Sequence, residues 1–262
     1  MKRIVCLAIA LIMCACVFSS CSLFAPKKDK LIVGYTDYEP MNYEENGKLI
    51  GFDTELAEAV AKELGMEIEF KLINWPNKYM ELESGNINCI WNGFTYNCAD
   101  DDGIQRSDKV DFSYAYMKNE QCVVVRKADA SKYTTVESLK GKMGAAEAGS
   151  AGEGVAKEYS EKYTACAAQT ATLTELMGKK VEFVVIDKTM AKTLIGNGNY
   201  ADLVMVESID IPSEEYAIGF KKGSELTDKV NGALETLAAD GTMTRLAEKY
   251  GLQNYVITDF NK

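Results

Sequence analysis

No histidine occurs anywhere in the chain. This removes the commonest general base and the commonest metal ligand, and with them triad hydrolysis and histidine-based zinc chemistry. Of eight cysteines, Cys6, Cys14 and Cys16 fall in an N-terminal apolar segment and Cys21 follows it. The others, Cys89, Cys98, Cys122 and Cys166, show no CxxC spacing, and Cys89 and Cys122 sit in strand-like runs where the thiol serves as a small core residue. Any disulfide would involve Cys98. The triplet Asp100-Asp101-Asp102 lacks the spaced oxygen ligands and closing glutamate of a calcium loop and reads as a solvated acidic turn. Two features remain that could hold a small molecule. Gly149-Ser150-Ala151-Gly152-Glu153-Gly154 opens a helix, where outward-pointing amides favour an anion. It has neither the lysine of a nucleotide phosphate loop nor a dinucleotide pattern, and a flexible turn accounts for the same residues. Asp187 closes the apolar run Val181 to Ile186, the position at which parallel strands present side chains to a ligand crevice. Capping the helix Lys188 to Leu194 is a compatible second role for it.

The elements that must position these residues alternate. Leu31 to Tyr35 reads as a buried strand. Leu56, Val60 and Leu64 repeat every fourth residue after Asp53, and Gly65 stops that helix. Met66, Ile68, Phe70 and Leu72 alternate as a half-buried strand. A helix over Tyr79 to Leu82, stopped by Ser84-Gly85, leads to a strand from Ile87 to Trp91. A second set follows the apolar run Cys122 to Val125: a short helix at Val136 to Leu139, a strand from Lys142 to Glu147, and a helix running from the glycine stretch toward Tyr163. Leu173 to Met177 is helical, and the strand ending at Asp187 completes the set. The chain then returns through a strand at Tyr216 to Phe220 and two helices, one carrying Val230, Leu234 and Leu237, the other Met243, Leu246 and Tyr250. Each set repeats strand–helix–strand logic, so two α/β lobes are expected.

Lys2 and Arg3 precede 15 apolar residues, Ile4 to Phe18, and the small pair Ser19-Ser20 precedes Cys21. Fifteen residues fall short of the ~20 that a helix needs to cross the hydrocarbon core, so 1–20 reads as an export leader. Its loss takes Lys+Arg from 29 to 27 against 39 Asp+Glu, a net charge of −12. That surface excludes nucleic acid and anionic lipid as partners.

Across almost the whole remaining chain, the order of short motifs resembles the polar amino acid-binding proteins of ATP-driven (ABC) importers. The motifs are Gly47-Lys48-Leu49-Ile50-Gly51-Phe52-Asp53, Leu82-Glu83-Ser84-Gly85-Asn86-Ile87-Asn88, Lys109-Val110-Asp111-Phe112-Ser113, Glu137-Ser138-Leu139-Lys140-Gly141-Lys142, Gly149-Ser150, Val184-Val185-Ile186-Asp187 and Ala239-Asp240-Gly241-Thr242. The resemblance implies an α/β, two-lobe periplasmic-binding-protein fold of type II, with two crossing hinge strands and the ligand in the interlobe cleft. Lobe one would hold 29–120 and 216–262, lobe two 121–215, with crossings near Asn119 to Arg126 and Ile211 to Ala217. Residues 18–21 resemble a bacterial lipobox, with Phe18 where leucine is usual. Cys21 would be the lipidated residue, carrying palmitate-type acyl chains, and 21–30 a tether to the outer membrane face.

The resemblance also implies a binding role for particular residues. Arg106, six residues before Phe112, would grip the ligand carboxylate in a bidentate fork; its other reading is a solvated surface arginine. The family runs from its glycine-x-threonine motif to this arginine in about five residues, whereas Thr95 to Arg106 is eleven here, so Tyr96 to Gly103 is an insert. Asp187 would take the ammonium, Gly93 would offer a carbonyl and Thr95 a hydroxyl, and Ser150 with the Ala151 amide would complete the carboxylate shell. Tyr38, Trp75 and Trp91 are wall aromatics, each equally explained by core packing. Glu147 either reads the side chain, bonds across the cleft, or faces solvent. The expected ligand is a free amino acid with a polar or small neutral side chain, the expected partner an ABC transporter permease, the expected state a monomer, and no cofactor or catalysis is called for. Rival readings on the same fold are a prephenate-type dehydratase and a ligand sensor for a signalling partner.

Overall fold

The computed structural model describes residues 29–260. The leader 1–20, Cys21 and most of the tether 21–30 lie outside the described residues.

The first sheet is built around β1 (Lys30–Tyr35), which pairs in parallel with β4 (Glu67–Leu72) on one side and β5 (Cys89–Ile90) on the other. Helix α1 (Phe52–Glu63) links β1 to β4 and buries Leu56, Ala57, Val60 and Ala61. It ends where Gly65 takes φ 66. There the Met66 amide bonds the Ala61 carbonyl and the Gly65 amide the Lys62 carbonyl, a Schellman closure that needs a left-handed residue. Before α1 lies a hairpin absent from the sequence reading, β2 (Tyr43–Glu45) and β3 (Lys48–Ile50). Its turn, Asn46-Gly47, has positive φ at both positions, as a two-residue hairpin demands. Helix α2 (Lys78–Glu83) precedes β5. Short helix α3 (Arg106–Lys109) precedes β6 (Asp111–Phe112), which joins the sheet edge through β13 (Gly219–Phe220), giving the order β4-β1-β5-β13-β6.

The second sheet runs β11-β7-β10-β8-β9, from β7 (Met117–Arg126), β8 (Gly144–Glu147), β9 (Tyr163–Cys166), β10 (Phe183–Asp187) and β11 (Leu203–Met205). Strands β8, β9 and β10 are parallel, and β7 is antiparallel to β10 and β11. Val123, Val125, Phe183 and Val185 enter one apolar cluster, while Cys122, Val124, Val184 and Ile186 enter another on the opposite face. Continuous apolar runs thus bury both faces, as a covered sheet requires. Besides α4 (Val136–Leu139), the helices of this lobe are α5 (Ala151–Tyr159), α6 (Gln169–Met177) and α7 (Lys188–Leu194). Helix α5 stops at Tyr159, short of Tyr163, because Ser160 leaves helical geometry and donates to the Lys142 carbonyl; Tyr163 then opens β9.

Two strands cross between the sheets. The N-terminal half of β7 pairs antiparallel with β12 (Ser213–Tyr216), with Asn119 opposite Glu214 and Met117 opposite Tyr216. The strand read as Tyr216 to Phe220 is therefore two, β12 in the crossing and β13 in the first sheet, separated by Ala217-Ile218. The chain ends on the first lobe: α8 (Leu226–Ala239) and α9 (Thr242–Lys249) place Val230, Leu234 and Met243 in one core cluster with Leu56 and Val60 of α1.

Candidate functional site

A cavity between the sheets is lined by Tyr38, Trp75, Asn92, Gly93, Thr95, Arg106, Glu147, Ser150, Ala151, Gln169 and Asp187. Nine of the ten ligand-binding residues named from sequence thus share one cavity. Trp91 is the exception. Cys89 and Trp91 project to the same side of the β5 segment, into the core against Tyr116, while Ile90 projects to the other. The two-residue period of an extended chain therefore turns Trp91 away from the cleft, and its assignment as a wall residue is corrected.

Arg106 is 1% exposed, not a surface arginine. It sits in the first turn of α3 with its three nitrogens directed to three acceptors. Nε donates to Asp100 Oδ1 at 2.8 Å, Nη1 to the Thr95 carbonyl at 2.9 Å and Nη2 to the Gly149 carbonyl of the opposite lobe at 3.1 Å. Two of its five N–H donors stay available. The reading of Asp100 to Asp102 as a solvated turn holds for Asp101 and Asp102, whose side chains are 46% and 52% exposed, and fails for Asp100 at 10%. Asp100 also accepts from Tyr79 and Lys109, and although burial works the other way, the Arg106 charge and these donors hold its carboxyl at about 2. Asp101 reaches Lys157 of α5 at 2.7 Å, and Asp102 pairs with Lys109. The triplet is consumed by cations because the insert folds back over α3 and toward the second lobe.

The Gly149 carbonyl draws three donors from the first lobe: Arg106, Trp75 Nε1 at 3.1 Å and Lys78 Nζ at 3.1 Å. Lys78 lies over the Trp75 and Tyr79 rings, and burial with the neighbouring Arg106 charge lowers its ammonium to about 8. The turn is rigid on the other side too. The Ser150 hydroxyl caps α5 by accepting the Glu153 amide, and Glu153 accepts the Gly149 amide in return, a variant of the reciprocal capping box.

Asp187 is 7% exposed and does not cap α7 with its side chain; Asn119 Oδ1 accepts the Thr189 amide instead. Asp187 Oδ1 receives Asn119 and Gln121 from β7 and Tyr216 from β12, at 2.7, 2.8 and 2.8 Å. Gln169 donates to Oδ2 and accepts the Asp187 amide. Glu214 of β12 shares Asn119 and Gln121 as donors. Burial raises both carboxyls, Glu214 to about 7, each opposed by these donors. The acid at the end of β10 is thereby tied to both crossing strands. Tyr216 extends the chain to Tyr38, hydroxyl to hydroxyl, at 2.7 Å.

Gly93 takes φ 57, and its amide donates to buried Asp53 at 2.8 Å. Tyr116 donates to the same oxygen, and burial, opposed by these donors, lifts the Asp53 carboxyl to about 7. Asp53, Asn92, Gln169, Asn119, Gln121, Glu214, Tyr216, Lys78 and Asp100 were not assigned to the site from sequence. For Asp53 a signal existed, since it ends the quoted motif Gly47 to Asp53; for the others none did, because their partners lie 6 to 178 residues away. Among the described residues no cluster of His, Cys, Asp or Glu is arranged to hold a metal, and Cys89, Cys98, Cys122 and Cys166 are free thiols.

The model of the family described as bacterial extracellular solute-binding proteins, family 3, matches residues 31–253. The chain belongs to that family. Among family-3 relatives, the arginine-binding extracellular protein ArtP of Bacillus subtilis (strain 168) is 31% identical over 251 residues, covering 94% of each chain. A solved ancestral arginine-binding protein bound to arginine superposes with a TM-score of 0.76 at 31% identity, covering 86% of this chain and 99% of that one. The ancestral amino acid-binding protein AncCDT-1, a precursor of cyclohexadienyl dehydratase, gives 0.73 at 31% identity, with 84% and 95% covered. The chain thus has the type II two-lobe architecture of family-3 binding proteins.

Proposed function

We propose that this family-3 protein captures a free amino acid by closing its lobes and delivers it, outside the cytoplasm, to the permease of an ABC transporter. The observation that carries this reading is the convergence on one interlobe cavity of a buried guanidinium from the first lobe and a buried carboxylate from the second, the pair an amino acid zwitterion requires. Arg106 keeps two donors for the carboxylate, joined by the Thr95 hydroxyl, Ser150 and the Ala151 amide. Asp187 faces the ammonium, the Gly93 carbonyl assists, and Trp75 and Tyr38 flank the side chain. The lobes comprise 29–120 with 216–262, and 121–215. Closure follows from differential contact, because the Gly149 carbonyl of the second lobe accepts from Trp75, Lys78 and Arg106 of the first, bonds that parted lobes would lack.

A thermal-shift screen against the twenty amino acids tests the reading: a ligand at a hundred times its Kd stabilises the fold by about 2.7 kcal/mol. At least one amino acid raises the midpoint, and Arg106→Ala abolishes the rise; no shift with any of the twenty refutes the function. Export through 1–20, lipidation at Cys21 and a monomeric state complete the proposal. Cys21→Ala would release the protein from the membrane fraction, and an unchanged fraction removes the anchor. The relationship to AncCDT-1 keeps a dehydratase in view, with buried Glu147 as its acid. Binding without catalysis predicts no aromatic product from prephenate, and turnover would reverse that conclusion.

A further inference from the structure

Glu147 is the carboxylate of the cavity that the protein itself leaves unmatched. It lies at the C-terminal end of β8, 5% exposed, and lines the cavity. Among the described residues its side chain forms no hydrogen bond and no ion pair. Every other charged group nearby has partners. Asp187 receives four donors, Arg106 is paired with Asp100, and Lys78 donates to the Gly149 carbonyl. Burial, reinforced by the Asp187 charge and opposed by Lys78 and Arg106, raises Glu147 to about 8. A buried carboxylate in that condition is costly unless a cation meets it.

A neutral amino acid brings one ammonium, which Asp187 takes in the proposed site, and adds no cation for Glu147 beyond the field of Lys78 and Arg106. A second cation on the ligand would give each carboxylate its own. Trp75 and Tyr38 line the same cavity from the facing lobe, and aromatic rings attract cations as well as methylenes. Resting on the amino acid-binding function proposed above, we infer that Glu147 receives the cationic side-chain group of the ligand, so that the ligand class is the basic L-amino acids. This replaces the neutral side chain expected from sequence, where Glu147 could not be distinguished from a solvent-facing residue.

Calorimetric titration of the full chain and of Glu147→Gln with L-arginine, L-lysine, L-glutamine and L-serine tests the inference. The wild type binds arginine or lysine at least ~100-fold more tightly than glutamine or serine, and Glu147→Gln loses that advantage while its affinity for the neutral pair moves less than ~3-fold. Its unliganded melting midpoint does not fall, because the buried carboxyl that is replaced makes no side-chain hydrogen bond among the described residues. An equal loss for all four ligands would place Glu147 on the α-ammonium and overturn the inference. So would a wild-type preference for a neutral ligand that Glu147→Gln leaves intact; in both cases amino acid binding itself stands. Absence of binding by any of the twenty amino acids overturns both the inference and the function beneath it.

Discussion

The cost of Glu147 can be read without any ligand, from stability against pH. Its carboxyl moves from an ordinary 4.5 to about 8 on folding, chiefly through burial and next through the Asp187 charge. The folded state therefore binds more protons than the unfolded one between these values, and stability falls as pH rises. The contribution of this group is complete below pH 4.5 and lost by the time pH passes 8. A gap of about 3.5 units corresponds to about 5 kcal/mol at about 1.4 kcal/mol per unit. Structural relaxation and water entry reduce this, so Glu147→Gln should stabilise the protein by about 2–5 kcal/mol at pH 9 and very little at pH 4.5. For a domain of this size that is a midpoint gain of roughly 5–15 °C. Melting midpoints of both proteins, without added amino acid, at unit steps from pH 5 to 9 give the difference curve directly. Asp53 and Glu214 titrate in both proteins and cancel in that difference. If the two profiles run parallel over the whole range, Glu147 is not a buried carboxyl ionising against its surroundings, and the reasoning fails.

Three other perturbations separate neighbouring roles. Gly93→Ala places a Cβ 2.5 Å from Tyr38 and 3.2 Å from Tyr216 at a φ of 57, so amino acid affinity measured by calorimetry should drop at least ~10-fold while the fold survives; undiminished affinity would remove Gly93 from the site. Trp75→Ala should weaken binding at least ~10-fold, whereas Trp91→Ala should cost about 3–5 kcal/mol of stability by leaving a core cavity and move affinity less than ~3-fold; the reverse pattern in paired melting and binding assays would restore Trp91 to the wall. Lys157→Ala breaks the ion pair from the insert to the second lobe, whose side chains are 33% and 46% exposed. Such pairs contribute about 0–1 kcal/mol, so affinity should fall no more than ~5-fold and the difference should vanish in 1 M salt. A salt-independent loss would mean that Lys157 acts in some other way.

The β1–α1–β4 unit was legible because its signals are local. Leu56, Val60 and Leu64 repeat at helical spacing, Met66 to Leu72 alternate, and Gly65 stands where a left-handed stop is needed. Placement of Arg106 and Asp187 came from motif order, and both line the cavity. The segment around Tyr216 was less legible, since no local period marks the point at which a strand leaves a hinge and enters a sheet. That boundary depends on pairing with β7 and β5, over 90 residues away in the chain.

By itself, the sequence determined the alternation of strands and helices, the exclusion of histidine chemistry and the motif order that marks the family, all properties of residue type at short range. Tertiary structure decided which aromatic meets the cavity, since Trp75 and Trp91 differ in the direction of their side chains and not in kind. It also decided what the acids do. Asp100 braces Arg106, Asp101 bridges the lobes, Asp187 is anchored by hinge donors on one oxygen and by Gln169 on the other, and Glu147 is left without a side-chain hydrogen bond or ion pair among the described residues. A carboxylate has one chemistry in the sequence and several in the fold, because its charge state and use are set by which donors and how much water the packed lobes bring to it.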